Sequence, residues 1–204
     1  MEQKSMKTNK PTSVQINIRD GQMLPNTTHD QRFVSHLTEQ FSDQIATMDA
    51  IKNGDPLVYE LFHHVFLTDR TDMAFGMSVI AAGKVGNEYY MTKGHLHESD
   101  DQSEVYYCVS GMGLLLMDDL KNDFQAMPFS EGTVIHIPPQ YAHRVVNTGT
   151  EKLTFVSVFH VAAGHVYQSV AEAGFAYLVM DVDGKPTLIP NPKRANYLNS
   201  KTGN

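Results

Sequence analysis

The residues of this sequence best suited to chemistry crowd into "KGHLHESDDQSE", residues 93–104, where His95 and His97 stand two apart and Glu104 follows after six intervening residues. On an extended strand successive side chains face opposite sides. Residues i and i+2 therefore share a face, about 7 Å apart, and both imidazoles can reach one ion. His63 and His64 are adjacent and cannot both do so. The polar run "ESDDQS" suits a connection that folds the next strand, opened by Glu104, back beside the pair, so that three ligands meet on two neighbouring strands. "GTVIHIPPQYAHRVVN" supplies a fourth, His143, placed after the Pro138–Pro139 turn where a returning strand passes the site. His136, flanked by Ile135 and Ile137, reads as a structural histidine. Three imidazoles and one carboxylate without a thiolate suit Fe²⁺, Mn²⁺, Zn²⁺, Co²⁺ or Ni²⁺ and do not select sharply among them. Fe²⁺ is the first expectation, whereas calcium and magnesium favour all-oxygen sites.

Short runs rich in β-branched and aromatic residues must carry these side chains. They fall at residues 56–67, 77–83, 87–95, 103–111, 113–119, 132–139, 143–149, 152–161, 176–184 and 186–191, separated by turn signals, and imply an all-β sandwich or small barrel. Before them, Phe33, Val34, Leu37, Phe41, Ile45 and Met48 recur every three or four residues, which predicts an amphipathic helix over 33–48 that stops before "KNGDP". "YQSVAEAG", residues 167–174, reads as a short helical stretch. Residues 1–30 form a polar N-terminal extension in which "DGQMLPNTTHD" reads as loop, residues 31–194 a single domain, and residues 195–204 a polar C-terminal tail.

At 204 residues the chain suits one domain. Its net charge of −7, from 16 basic and 23 acidic residues, gives no basic stripe, so no nucleic-acid partner is expected and a small molecule is. No apolar run approaches the 18 or more residues of a membrane span. The expectation is a soluble, cytoplasmic protein with no membrane partner. The single cysteine, Cys108, lies in the apolar run "EVYYCVS" and reads as a small buried hydrophobe.

The two histidine-bearing segments resemble the signature motifs of the cupin superfamily. His95, His97, Glu104 and Gly111 follow the first, with a longer gap before the glutamate; Gly132, Pro138, His143 and Asn147 follow the second, with Gln140 in place of its third glycine. The longer gap, with "GKVGNEYYMTKGHLH", "SEVYYCVSGMG" and "AAGHVYQSVAEAGF", resembles the cupin-type (archaeal-type) phosphoglucose isomerases over residues 55–192. That resemblance implies a cupin double-sheet jelly roll, here with an N-terminal helix, forming a homodimer with a metal in the barrel mouth. It also implies interconversion of glucose 6-phosphate and fructose 6-phosphate. His95, His97, Glu104 and His143 fall on the metal ligands, and Thr92 and Gly94 where the substrate phosphate is held. Ser78 stands where threonine is common for the same task, Lys93 belongs to the shared "TKGH", and Tyr106 and His165 align with residues facing the sugar. Phe159 replaces a tyrosine near the phosphate, a contact that Tyr167 could take over.

Aldose–ketose isomerisation moves a hydrogen between C2 and C1 and a proton between their oxygens. A divalent ion would act as a Lewis acid toward the developing enediolate charge. Glu104 is the expected base at C2, with His165 as proton carrier or ring-opening group; a direct hydride shift is the other route. A ligating carboxylate is a weak base, so Glu104 would have to loosen or use its free oxygen. The alternatives from other classes are a metal-dependent oxygenase and a non-catalytic sugar-binding cupin, and mannose 6-phosphate is a neighbouring substrate.

Overall fold

β-Branched and aromatic residues dominate the chain from Leu57 onward, and the backbone answers with extended runs that pair antiparallel throughout. The computed structural model describes residues 13–17, 22–24, 28–65 and 72–202. The first strands are β1 (Gln15–Asn17), β2 (Gln22–Leu24), β3 (Thr28–Phe33), β4 (Leu57–Val65) and β5 (Met73–Ile80), followed by the two-residue β6 (Lys84–Val85) and β7 (Glu88–Tyr89). Then come β8 (Glu104–Ser110), β9 (Met112–Asp118), β10 (Phe124–Ser130), β11 (Val134–Ile137), β12 (Ala142–Asn147), β13 (Leu153–His160), β14 (Tyr177–Val182) and β15 (Lys185–Pro190). The helices are α1 (Gln44–Lys52), α2 (Gln168–Ala173) and α3 (Pro192–Thr202).

Two antiparallel sheets enclose the core in a double-sheet jelly roll. One runs β11-β8-β13-β5-β4-β3 and the other β10-β9-β12. Residues 91–96 extend the second sheet along β12 through isolated bridges at Met91–Val146 and His95–His143. The sheets meet through aromatic side chains: Phe129 of β10 lies 6.5 Å from Tyr106 of β8 and 5.8 Å from Phe155 of β13, ring centre to ring centre. A third sheet, β15-β14-β7-β6, closes one side. The β1–β2 hairpin lays Met23 and Ile16 over Phe62, Met77, Val79 and Val156 on the outer face of the six-stranded sheet.

Several expectations change. The predicted helix over 33–48 is instead a 3₁₀ turn at Val34–Leu37, a connection, and α1 beginning at Gln44. The Asp43 carboxylate caps α1 by accepting from the Ala46 N–H at 2.9 Å, which ends the preceding irregular stretch. Val34, Leu37 and Phe41 are buried, but Ile45 and Met48 are 78% and 60% exposed, so one helical face never forms. The loop read at "DGQMLPNTTHD" contains β2 and the start of β3. The run at 87–95 forms a ladder strand only at Glu88–Tyr89; beyond it the chain joins β12 through single bridges at Met91 and His95, with Gly94 at φ +75° between them. β10 was not expected, since Pro128 lies within it; β10 pairs only with β9, and a proline is tolerated on such an edge. The polar C-terminal tail is largely α3, where Pro192 occupies the first turn and Asn191 Oδ1 accepts from the Lys193 N–H at 3.0 Å. Residues 1–12 and the last two of the run read at 56–67 lie outside the described residues.

Candidate metal centre and substrate cavity

His95 and His143 are bridge partners, so their side chains leave the same face of the second sheet, with ring centres 4.3 Å apart. The backbone fixes this pairing by two bonds, from the His95 N–H to the His143 carbonyl at 3.2 Å and back at 2.9 Å. His97 lies one side-chain period beyond His95, with ring centres 5.6 Å apart. Glu104 arrives from the other side of the core. It opens β8, whose neighbours are β11 and β13, so it faces the imidazoles across the barrel and does not stand on a neighbouring strand as the sequence suggested. The insert 98–103 spans this crossing, anchored by the Glu98 and Ser99 N–H groups on the Ala163 carbonyl at 2.8 and 3.1 Å.

One donor atom from each of His95, His97, Glu104 and His143 lies within 4.8 Å of the others. A neutral imidazole carries one ring proton. His97 Nδ1 lies 2.9 Å from the Gln102 carbonyl and His143 Nδ1 lies 3.0 Å from the Tyr141 carbonyl, which places the protons there. Their Nε2 lone pairs then face Glu104 Oε2 at 3.2 and 3.1 Å. Lone pairs aimed at a carboxylate oxygen repel unless both rings become imidazolium or a cation lies between them. His95 Nε2 is buried and has no hydrogen-bond partner among the described residues. A divalent cation satisfies all four groups at once, and the carbonyls on Nδ1 are the supports that orient metal-bound histidines. The donor set therefore fits a divalent metal.

Glu104 responds to positive charge on this face: burial alone would raise its carboxyl, but protonated His143 and His97, the metal-free alternative to a cation, hold it at about 2. Burial pulls His97 down, and the bonds to Glu104 and Gln102 more than reverse this, so its basicity is raised. His95 falls well below the ordinary histidine value through burial and then the neighbouring imidazoles.

His95 and Glu104 of the cluster line a cavity of about 220 Å³, below the roughly 300–1,000 Å³ usual for ligand sites. Its lining includes Ser78, Thr92, Lys93, Gly94, Tyr106, Phe159, His165 and Tyr167 beside His95 and Glu104. Thr92 Oγ1 accepts from the Val145 N–H at 3.1 Å, which leaves its proton to give to a ligand. Lys93 holds its ammonium 5.0 Å from the Tyr167 ring centre. His165 stacks on Tyr167 at 6.0 Å and meets Phe159 edge-on at 5.8 Å. Partial burial lowers its basicity, so it is neutral near pH 7.

A family profile described as glucose-6-phosphate isomerase matches residues 26–192, most of the chain. The chain belongs to the glucose-6-phosphate isomerase family. The glucose-6-phosphate isomerase of Thermococcus kodakarensis is 35% identical over 92% of this chain and 98% of its own length, and that of Thermococcus litoralis 34% over the same shares. That of Sinorhizobium medicae is 32% identical over 80% of this chain and 77% of its own. Among solved structures, oxalate decarboxylase from Bacillus subtilis aligns over 53% of this chain and 27% of its own, at 20% identity and TM-score 0.44.

Every site residue named from the sequence of this isomerase-family chain lines the cavity or belongs to the four-residue cluster. Nine further cavity residues went unnamed: Asp30, Arg32, Tyr59, His63, Gly76 and Ser157, with the apolar Leu61, Met77 and Phe155. The first two belong to β3, whose polar run "THDQR" carries no strand signal. Tyr59, His63 and Gly76 reach the cavity through the pairing of β4 with β5, which only the fold reveals. The alternation of "KLTFVSVFHV" could have flagged Ser157, two residues before Phe159. His136 is exposed, with Ile135 and Ile137 inward, as its flanks suggested. Cys108 is fully buried, and burial raises its thiol to about 11.

Proposed function

We propose that this chain interconverts glucose 6-phosphate and fructose 6-phosphate, with His95, His97, Glu104 and His143 holding one divalent ion per subunit. The observation that carries the reading is the juxtaposition of a four-donor metal cluster and a donor-lined cavity in a chain of this family. The ion, Fe²⁺ in this reading, supplies Lewis acidity to the sugar oxygens O1 and O2 when bound. Thr92, Ser78 and the Gly94 N–H donate to the phosphate, Lys93 adds a cation, and Tyr106 and Tyr167 bracket the sugar. Phe159 offers an apolar edge where a hydroxyl would add a donor.

Glu104 takes the proton from C2 and returns it to C1. Its Oε2 faces the Nε2 atoms of the two ligand imidazoles and is the oxygen that would hold the ion, whereas Oε1 makes no hydrogen bond among the described residues, so the second oxygen is the base. His165, neutral near pH 7, carries the proton between O1 and O2 or opens the ring. Residues 31–194 act as the single catalytic domain. Exposed Val105, Tyr107 and Val134 on the outer face of the six-stranded sheet favour a homodimer, and no helix of the described residues is long and apolar enough to cross a membrane, which suits a cytoplasmic enzyme. The test is a coupled assay for glucose 6-phosphate formed from fructose 6-phosphate by metal-loaded protein. Turnover is expected, and its absence with every metal tried would remove the reading.

A further inference from the structure

Arg144 follows His143 on β12, so its side chain leaves the opposite face of the sheet and enters a groove of about 880 Å³ bordered by α2. It is only 6% exposed. Its guanidinium lies 4.6 Å from the Phe175 ring centre, Nη1 donates to Met91 Sδ at 3.0 Å, and Nη2 donates to the Lys93 carbonyl at 2.7 Å. Nε has no partner, and no carboxylate hydrogen-bonds the group among the described residues. The buried Glu88 carboxylate favours the charged form from nearby but accepts its hydrogen bonds from Ser42, and a buried cation without a bonded counter-ion is costly. The fold keeps one behind the cavity, bonded to the Lys93–Gly94 peptide.

That peptide explains its presence. In a planar trans peptide the C=O and N–H point to opposite sides. With the Lys93 carbonyl held outward by Arg144, the Gly94 N–H turns toward the cavity that Gly94 lines, and it makes no hydrogen bond among the described residues. Gly94 has φ +75°, and a Cβ there would lie 3.0 Å from the Phe175 ring and 3.1 Å from Arg144 Nε. Guanidinium, Phe175 and Gly94 therefore pack so closely that this peptide has one orientation.

We propose that Arg144 is a positioning residue which, through the Lys93 carbonyl, aims the Gly94 N–H into the cavity as a donor to the substrate phosphate. A cationic donor on the carbonyl also polarises the peptide and strengthens the N–H as a donor. The proposal rests on the isomerase reading for the identity of the phosphate ligand. Its test uses inorganic phosphate, so the two can fail separately.

In zinc-loaded wild-type protein, titration with inorganic phosphate is expected to move the Gly94 amide proton downfield to saturation. In Arg144→Met, phosphate affinity measured by calorimetry should fall roughly tenfold or more, the worth of one charge-assisted donor. KM for fructose 6-phosphate should rise in parallel, with a smaller change in kcat and with bound metal and melting temperature close to wild type. A merely structural role would shift melting and kcat without singling out phosphate. Unchanged phosphate affinity in a folded, metal-loaded variant overturns the proposal. So does wild-type protein that fails to bind phosphate, or binds it with no movement of the Gly94 amide. If Arg144→Met does not fold, Arg144→Leu is put through the same phosphate titration, and unchanged affinity there overturns the proposal. Absent turnover in wild type would count against the isomerase reading alone.

Discussion

Replacing Glu104 by glutamine separates the two tasks assigned to this carboxylate. The amide keeps the shape between His97 and His143, whose Nε2 atoms lie 3.2 and 3.1 Å from the present Oε2, and an amide oxygen can remain there as a neutral ligand. The negative charge and the basic second oxygen are lost. A positioned general base contributes about 10²–10⁴ in rate, or about 3–5 kcal/mol of barrier. Three imidazoles remain, so metal affinity should weaken by roughly the 10–100-fold typical of disturbed metal-site supports, and excess metal should still load the site. The assay is kcat per bound ion, from the coupled reaction and metal analysis on the same sample. A drop of about a hundredfold or more is expected. In heavy water the glucose 6-phosphate formed from fructose 6-phosphate by wild type should carry solvent deuterium at C2, because a proton taken from C1 and held on Glu104 Oε1 exchanges before it is delivered. A Glu104→Gln protein with wild-type kcat per ion, or product free of solvent deuterium, would refute the base assignment and favour a direct hydride shift.

Three other outcomes follow from the structure. Arg194 of α3 pairs with buried Asp118, which also accepts the Ala176 and Leu120 N–H groups at 2.8 and 2.7 Å. Arg194→Met should therefore cost about 3 kcal/mol, the low end for a broken buried pair, and lower Tm by about 6–12 °C in calorimetry. A loss below about 1 kcal/mol would show that α3 is not held by this pair. Cys108 has its thiol raised to about 11 against an unfolded value of 9.0, so its contribution to stability is intact below pH 9 and lost as pH rises through 11. Cys108→Ala should flatten that loss in denaturant titrations, and the native thiol should resist a thiol reagent at pH 8 until the protein unfolds. Phe159→Tyr adds a hydroxyl at the cavity edge and should lower KM for fructose 6-phosphate several-fold, the worth of one hydrogen bond, with little change in kcat.

The metal cluster was readable because its logic is local: a side-chain period of two sets His95 and His97 on one face, and the proline turn delivers His143. What the spacing could not show is which sheet receives Glu104. The insert 98–103 looks long enough to return to a neighbouring strand, yet it crosses the barrel to β8. The apolar pattern from Phe33 to Met48 looked helical because residue types record potential burial, not the partner that covers them; Ile45 and Met48 meet solvent. β3 and β10 escaped notice for opposite reasons, a polar strand with little to bury and an edge strand carrying Pro128. The cavity residues of β3 and β4 depend on non-local pairing, which periodicity cannot register. Arg144 was hidden by its neighbour: beside a ligand histidine, an arginine on the opposite face reads as surface charge, and only its burial and its bond to Lys93 reveal otherwise.

The most direct test of the central claim is metal titration of fully chelated protein, with glucose 6-phosphate formation and bound ion measured together. Activity should be absent after chelation and rise in proportion to bound ion, reaching its plateau at one ion per chain. The same titration of a His143→Ala protein should show weakened binding and little turnover. Full activity after exhaustive chelation, or a saturated site that never isomerises fructose 6-phosphate, would contradict it.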